Sequence, residues 1–246
     1  MKNKKLVIVI IGIILVLAIG IGAFVFFNSN NVGNNVKEVK TYLEKDEYEK
    51  AYNLIDEKNL LSKADKDIND LIKTRITKYK VTSLDDYLKL SNDDWKNIKS
   101  FEDMLKKLKL DSKYTYLTKL IEINTNYQEY VPAINWQKSD DYEVYRSYMK
   151  VETQDDFEKS ALMMKNYSFE KYGLENKYIK ELNEEIQKYI DYCTQLVQAI
   201  NNSDLNLYDS ISPKFKENIT KLSNIEIEII TKTSELEKAI KDLPSV

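Results

Sequence analysis

Ile179-Lys180-Glu181-Leu182-Asn183-Glu184-Glu185-Ile186-Gln187-Lys188-Tyr189-Ile190-Asp191-Tyr192-Cys193-Thr194-Gln195-Leu196-Val197-Gln198-Ala199-Ile200 sets the fold class of this chain. Its apolar side chains fall at Ile179, Leu182, Ile186, Tyr189, Cys193, Leu196 and Ile200, in alternating steps of three and four. That spacing brings them to one face of an α-helix as a heptad seam, which Ile190 and Val197 widen. Shorter stripes of the same period occur at Ile68, Leu71, Ile72, Ile76 and Tyr79, and at Leu117, Leu120, Ile121 and Val131.

Working outward, Ser212-Pro213 reads as a helix start, because proline at the first helical position forfeits no hydrogen bond. From there Ile219, Leu222, Ile229, Leu236, Ile240 and Leu243 continue to the end. The two segments are expected to form an antiparallel hairpin over 174–242, joined by Asn201 to Ser212. Ile225-Glu226-Ile227-Glu228-Ile229 alternates as a strand would. It is read as helix, since a lone strand would have no partner.

Glycine usage supports the helical reading. From Asn34 to Val246 there is one glycine, Gly173, and the prolines are Pro132, Pro213 and Pro244. Tight hairpins need backbone at positive φ, which glycine supplies most easily. A sheet protein of this size would need more of them.

A local motif recurs at Ser83-Leu84-Asp85-Asp86-Tyr87, Ser91-Asn92-Asp93-Asp94-Trp95, Ser100-Phe101-Glu102-Asp103-Met104 and Thr153-Gln154-Asp155-Asp156-Phe157. Ser139-Asp140-Asp141-Tyr142 is a shortened form. The hydroxyl suits an orphan N–H, the acids suit the positive end of a helix dipole, and the apolar residue turns inward. Starts at 83, 91 and 100 imply either very short helices or one false start.

The N-terminus has a different character. Leu6 to Phe27 is apolar and free of charge, and its 22 positions would span roughly 33 Å as a helix, close to the ~30 Å core of a bilayer. Lys2, Lys4 and Lys5 precede the run and nothing basic follows before Lys37, which places the N-terminus in the cytoplasm. A cleaved signal peptide has a shorter apolar core, and the small pairs Ala18/Gly20 and Gly20/Gly22 lie inside the run rather than after it. No cysteine lies near the run to accept lipid. The expected organisation is residues 1–5 cytoplasmic, 6–27 a transmembrane anchor, 28–35 a flexible tether and 36–246 an extracytoplasmic helical domain. With about five residues inside, a stand-alone signalling receptor is disfavoured.

The chain carries a net charge of −3, and removing the three leading lysines leaves −6 (−3 minus +3). An acidic domain whose lysines alternate with acids is a poor nucleic-acid binder. Cys193 is alone, so no intramolecular disulfide forms.

Leu43-Glu44-Lys45-Asp46-Glu47-Tyr48-Glu49-Lys50-Ala51 resembles the turn between the two helices of a tetratricopeptide repeat. Lys45 stands where glycine is usual, and no second copy follows at a period of 34 residues. The resemblance implies a helical hairpin there.

There is no histidine, which removes the usual general base, the Ser and Cys triads and most zinc sites. Asp65-Lys66-Asp67-Ile68-Asn69-Asp70 has calcium-loop character at its first, third and fifth positions. Asp70 replaces the required glycine, and Ile76 falls where the closing glutamate belongs. No metal or cofactor is expected. The Asp-Asp pairs leave room for a carboxylate hydrolase, which needs two acids roughly 5–9.5 Å apart, but helix capping accounts for all of them.

Tyr114, Tyr116, Tyr127, Tyr130, Trp136, Tyr142, Tyr145 and Tyr148 crowd into 35 residues. Pro132 should end the preceding helix and leave Asn135 to Ser139 as a loop bearing Trp136. Tyr130, Trp136, Tyr142 and Tyr145 are therefore the candidate binding surface if exposed, and core if not. The expectation is an all-α bundle of about eight to ten helices behind a single-pass anchor. Its expected function is non-catalytic binding of an envelope or membrane protein, with a cell-wall glycan as the second ligand class and the hydrolase third.

Overall fold

The computed structural model describes residues 31–150 and 153–246. The Leu6–Phe27 run lies outside them. Every regular element among the described residues is helical, and none of these helices is long and apolar enough to cross a membrane. Among the described residues there are twelve α-helices, more than the eight to ten expected because several are only one or two turns long: α1 (31–44), α2 (Tyr48–Glu57), α3 (Leu60–Lys63), α4 (Asp65–Lys78), α5 (Leu84–Leu88), α6 (Asn92–Lys107), α7 (Thr115–Tyr127), α8 (Val131–Gln137), α9 (Asp140–Tyr148), α10 (Gln154–Lys165), α11 (Lys177–Asn201) and α12 (Leu205–Lys241). A 3-10 turn, Glu170–Tyr172, precedes α11. The chain expected as one domain divides into two compact units. Of the described residues, the first comprises 31–80, Leu90–Lys119 and Pro244–Val246, and the second Val81–Lys89, 120–150 and 153–243.

In the first unit α2 packs on α6, with Tyr48 stacked on Phe101 at 4.8 Å between ring centres. Val39, Ala51, Ile55, Ile68, Ile72, Ile98 and Leu105 fill its core. Residues 31–35, expected as part of a flexible tether, belong to α1. The asparagines there continue a helix whose later turns are fixed by buried Val39 and Leu43.

The second unit is organised by the α11–α12 hairpin, with α10 packed on α11. Ile179, Leu182, Ile186, Tyr189, Cys193 and Leu196 are all buried against α12, as the heptad seam requires, with Tyr189 and Phe215 rings 5.4 Å apart and Asn218 donating to the Glu185 C=O at 2.9 Å. The hairpin connection differs from the expected Asn201–Ser212. It is only residues 202–204, because Asp204 accepts the Leu207 N–H at 3.0 Å and starts α12 eight residues before Ser212. Pro213 therefore sits inside α12. Its lost hydrogen bond costs about 3 kcal/mol in a helix interior, which burial of Ile211, Phe215 and Leu222 on either side offsets.

The capping motif starts a helix at four of its five sites, although the Ser139 hydroxyl donates to the Trp136 C=O at 2.7 Å instead of taking an N–H. Ser83, Ser91, Ser139 and Thr153 occupy the N-cap positions of α5, α6, α9 and α10. Ser91–Asp94 and Thr153–Asp156 form reciprocal capping boxes. Ser100 lies mid-helix in α6, because the stripe of Ile98, Phe101, Met104 and Leu105 carries the helix through it.

Candidate functional site

In the first unit a turn residue collects the strongest electrostatic cluster. The α1–α2 turn closes with Glu47 N–H donating to Tyr42 C=O at 2.9 Å and Asp46 N–H to Leu43 C=O at 3.3 Å. This pair of hydrogen bonds goes with Asp46 at φ +60°, where glycine is favoured. Aspartate occupies the position and directs its carboxylate at α4. Tyr48 and Tyr79 donate their hydroxyls to Oδ1 at 2.6 and 2.8 Å, Arg75 donates to the same oxygen, and Lys78 Nζ lies 3.3 Å from Oδ2. Arg75 Nε also donates to Tyr48 Oη at 3.1 Å. Partial burial raises the Asp46 carboxyl, but the hydrogen bonds from Tyr48, Tyr79 and Arg75 outweigh it and hold the group at about 2.

This cluster borders a groove of about 650 Å³ between the first turn of α2 and the second half of α6. Its charges cancel locally: Lys50 pairs with Glu47 at 3.2 Å, Lys107 with Glu49 at 2.5 Å and Lys106 with Glu102 at 2.7 Å. The groove presents neither sign of charge strongly and holds no histidine or cysteine, so its geometry is that of a clasp between helices.

In the second unit the expected binding residues lie inside. Trp136 and Tyr145 are fully buried, Tyr142 is 5% exposed and Tyr130 is half-buried. The loop expected at Asn135–Ser139 is instead the last turn of α8 and a short link. Pro132 fits within the first turn of α8, and the helix then aims Trp136 into the core. Trp136 Nε1 donates to Tyr167 Oη at 2.7 Å, and its ring meets Tyr142, Tyr145 and Phe169 at 5.0, 5.2 and 5.5 Å. Tyr142 and Tyr145 donate to the two carboxylate oxygens of Glu226 at 3.0 and 2.9 Å. Burial, followed by the Glu226 charge, pushes both phenols upward. Tyr130 stacks on Tyr178 at 4.4 Å and donates to Glu228 at 3.4 Å. The exposure expected of a binding surface is thus corrected for Trp136, Tyr142 and Tyr145, because their hydroxyl and indole groups find partners inside the fold.

The acid pairs do not converge. Asp94 accepts from the Ser91 N–H and hydroxyl at 2.9 and 2.6 Å, and Asp156 does the same for Thr153. Asp65 and Asp67 occupy the first turn of α4 rather than a loop. Among the described residues no group of three or more His, Cys, Asp or Glu side chains is placed to hold a metal ion. Burial pushes the Cys193 thiol up to about 12, well away from a reactive thiolate.

What the sequence reading missed lies on the surface of the second unit. Leu205 is 75% exposed, Leu162 64% and Ile227 60%. Leu205 and Tyr208 line a groove of about 390 Å³ at the hairpin tip, together with Ala199, Ile200, Ser203 and Asp204. The available signal was Asp204 ahead of Leu205, Leu207, Tyr208 and Ile211, a capping residue before an apolar helical spacing. No family model, curated protein or solved structure matches this chain.

Proposed function

We propose that this chain is a non-catalytic, single-pass membrane protein that presents its helical units outside the cytoplasm, at the cell envelope, for contact with another protein. The anchor is Leu6–Phe27, oriented by Lys2, Lys4 and Lys5. The observation that carries the binding role is two pairs of apolar side chains left in solvent about one turn apart on α12, Leu205 with Tyr208 and Ile227 with Ile230. Apolar side chains exposed beside one another mark contact surfaces. Three of the four aromatic residues a glycan binder would use, Trp136, Tyr142 and Tyr145, are inside the core, and the acid pairs a hydrolase would use cap separate helices.

The test is protease treatment of wall-stripped cells. The helical units should be degraded while a fragment containing Leu6–Phe27 survives in the membrane. Full protection of residues 31–246, or their release as a soluble protein, would overturn the reading.

A further inference from the structure

α12 carries one face that departs from the charged character of the chain. Thr220, Ser223, Asn224, Ile227, Ile230, Thr231 and Ser234 are all exposed, and they fall on a single side at a heptad spacing. The stripe runs about 21 Å along the helix axis and bears no charge between Glu217 and Lys238. At its centre Ile227 and Ile230 are 60% and 41% exposed.

We propose that this face pairs antiparallel with the same face of a second copy of the chain. The arrangement of charge and bulk around the stripe is self-complementary about one point, the 224–225 peptide. On one shoulder lie Lys214, Lys221, Glu228 and Glu235, seven residues apart. A two-fold axis at that peptide sets Lys221 against Glu228 of the second copy, and Lys214 against Glu235. Both of these pairs are of opposite sign.

Within half a residue of the same axis, Ile227 meets Ser223 and Ile230 meets Thr220, large against small, as interdigitating layers require. Lys216 and Lys238 then face Ser234 and Ser212 rather than each other. A two-fold interface must be self-complementary in this way, whereas a parallel pairing would set each charge against its own copy. Lys221 already pairs with Glu217 at 3.0 Å and Glu235 with Lys232 at 2.7 Å, their side chains 29–68% exposed, while Glu228 accepts from Tyr130 at 3.4 Å. Association therefore exchanges partners rather than burying lone charges. The inference stands on α12 alone and does not depend on the anchor.

The test uses the full-length chain in detergent solution. Sedimentation velocity over a concentration series should show a reversible dimer. Asn224→Cys should cross-link under mild oxidation, because the two copies of that position lie beside the axis, while Ser234→Cys should not, its copies being about 28 Å apart along the helix. Buried Cys193 does not compete. Ile227→Asp should abolish the dimer with helical content unchanged. Lys221→Glu should weaken it about tenfold through two lost surface pairs, and adding Glu228→Lys to that variant should restore it. A chain that is monomeric at every concentration, equal cross-linking at 224 and 234, or a folded Ile227→Asp dimer would each overturn the proposal.

Discussion

The two units each gather tyrosine hydroxyls around a carboxylate, but they do so with different electrostatics. Asp46 in the first unit takes two tyrosines together with Arg75 and Lys78. Glu226 in the second takes Tyr142 and Tyr145. The first cluster holds a cation whose side chain is only 10% exposed, so the acid and the arginine need each other. The donors on Glu226 are neutral phenols, and losing its charge strands no buried cation. A hydroxyl collar on an acid is therefore not one device: in the first unit it locks an ion pair, in the second it closes an aromatic core.

The largest effect should come from that core. Trp136→Ala is expected to cost about 3–5 kcal/mol, the range for deleting a fully buried large aromatic, read as a fall in melting temperature. A variant that melts like the parent would show that the Trp136 ring is not what holds α8, α9 and the 3-10 turn together.

Next, Asp46→Asn should cost about 2–3 kcal/mol, because it leaves Arg75 with a neutral partner, while Glu226→Gln should cost about 1 kcal/mol or less, as for one neutral hydrogen bond. Equal losses in denaturant titrations would erase the contrast drawn above. The same pair can be separated by acid. Asp46 is held at about 2, below its ordinary 3.8. Its contribution is therefore complete above pH 4 or so and is lost as pH falls through about 2. The parent should lose stability over that window, and Asp46→Asn should lose less.

The smallest effect tests the helix ends. Lys109 and Ser203 sit at φ +58° and +53° in the same two-bond closure as Asp46, but neither is drawn into such a charge cluster. Lys109→Gly and Ser203→Gly should each stabilise by up to about 1 kcal/mol by relieving left-handed strain. Asp46→Gly should instead destabilise. If all three changes had the same sign, the Asp46 carboxylate would have no special role at its turn.

The α11 seam could be read directly because 22 residues keep one period, and a sustained pattern averages out single exceptions. The N-cap at Ser100 failed for the converse reason. Its five residues match the capping pattern, yet the longer stripe from Ile98 to Leu105 outweighs them. Pro213 failed likewise, since a cap nine residues earlier, at Asp204, had already started the helix. Trp136 was unreadable because α8 is only seven residues long, too short for a period to show which side is inward.

By itself the sequence determined the helical class, the α11 seam, most N-caps and the charge-free run at Leu6–Phe27. These are local properties, set by side chains a few residues apart and by the scarcity of glycine. Tertiary structure decided which tyrosines are core, that Asp46 meets a residue 29 positions away in Arg75, and which isoleucines of α12 remain in water. Burial depends on which distant segments cover a given helix face, and an alternation such as Ile225-Glu226-Ile227-Glu228-Ile229 is silent on that. Here Ile225 and Ile229 are buried and Ile227 is left exposed, because at 100° per residue a helix cannot turn all three isoleucines toward one core.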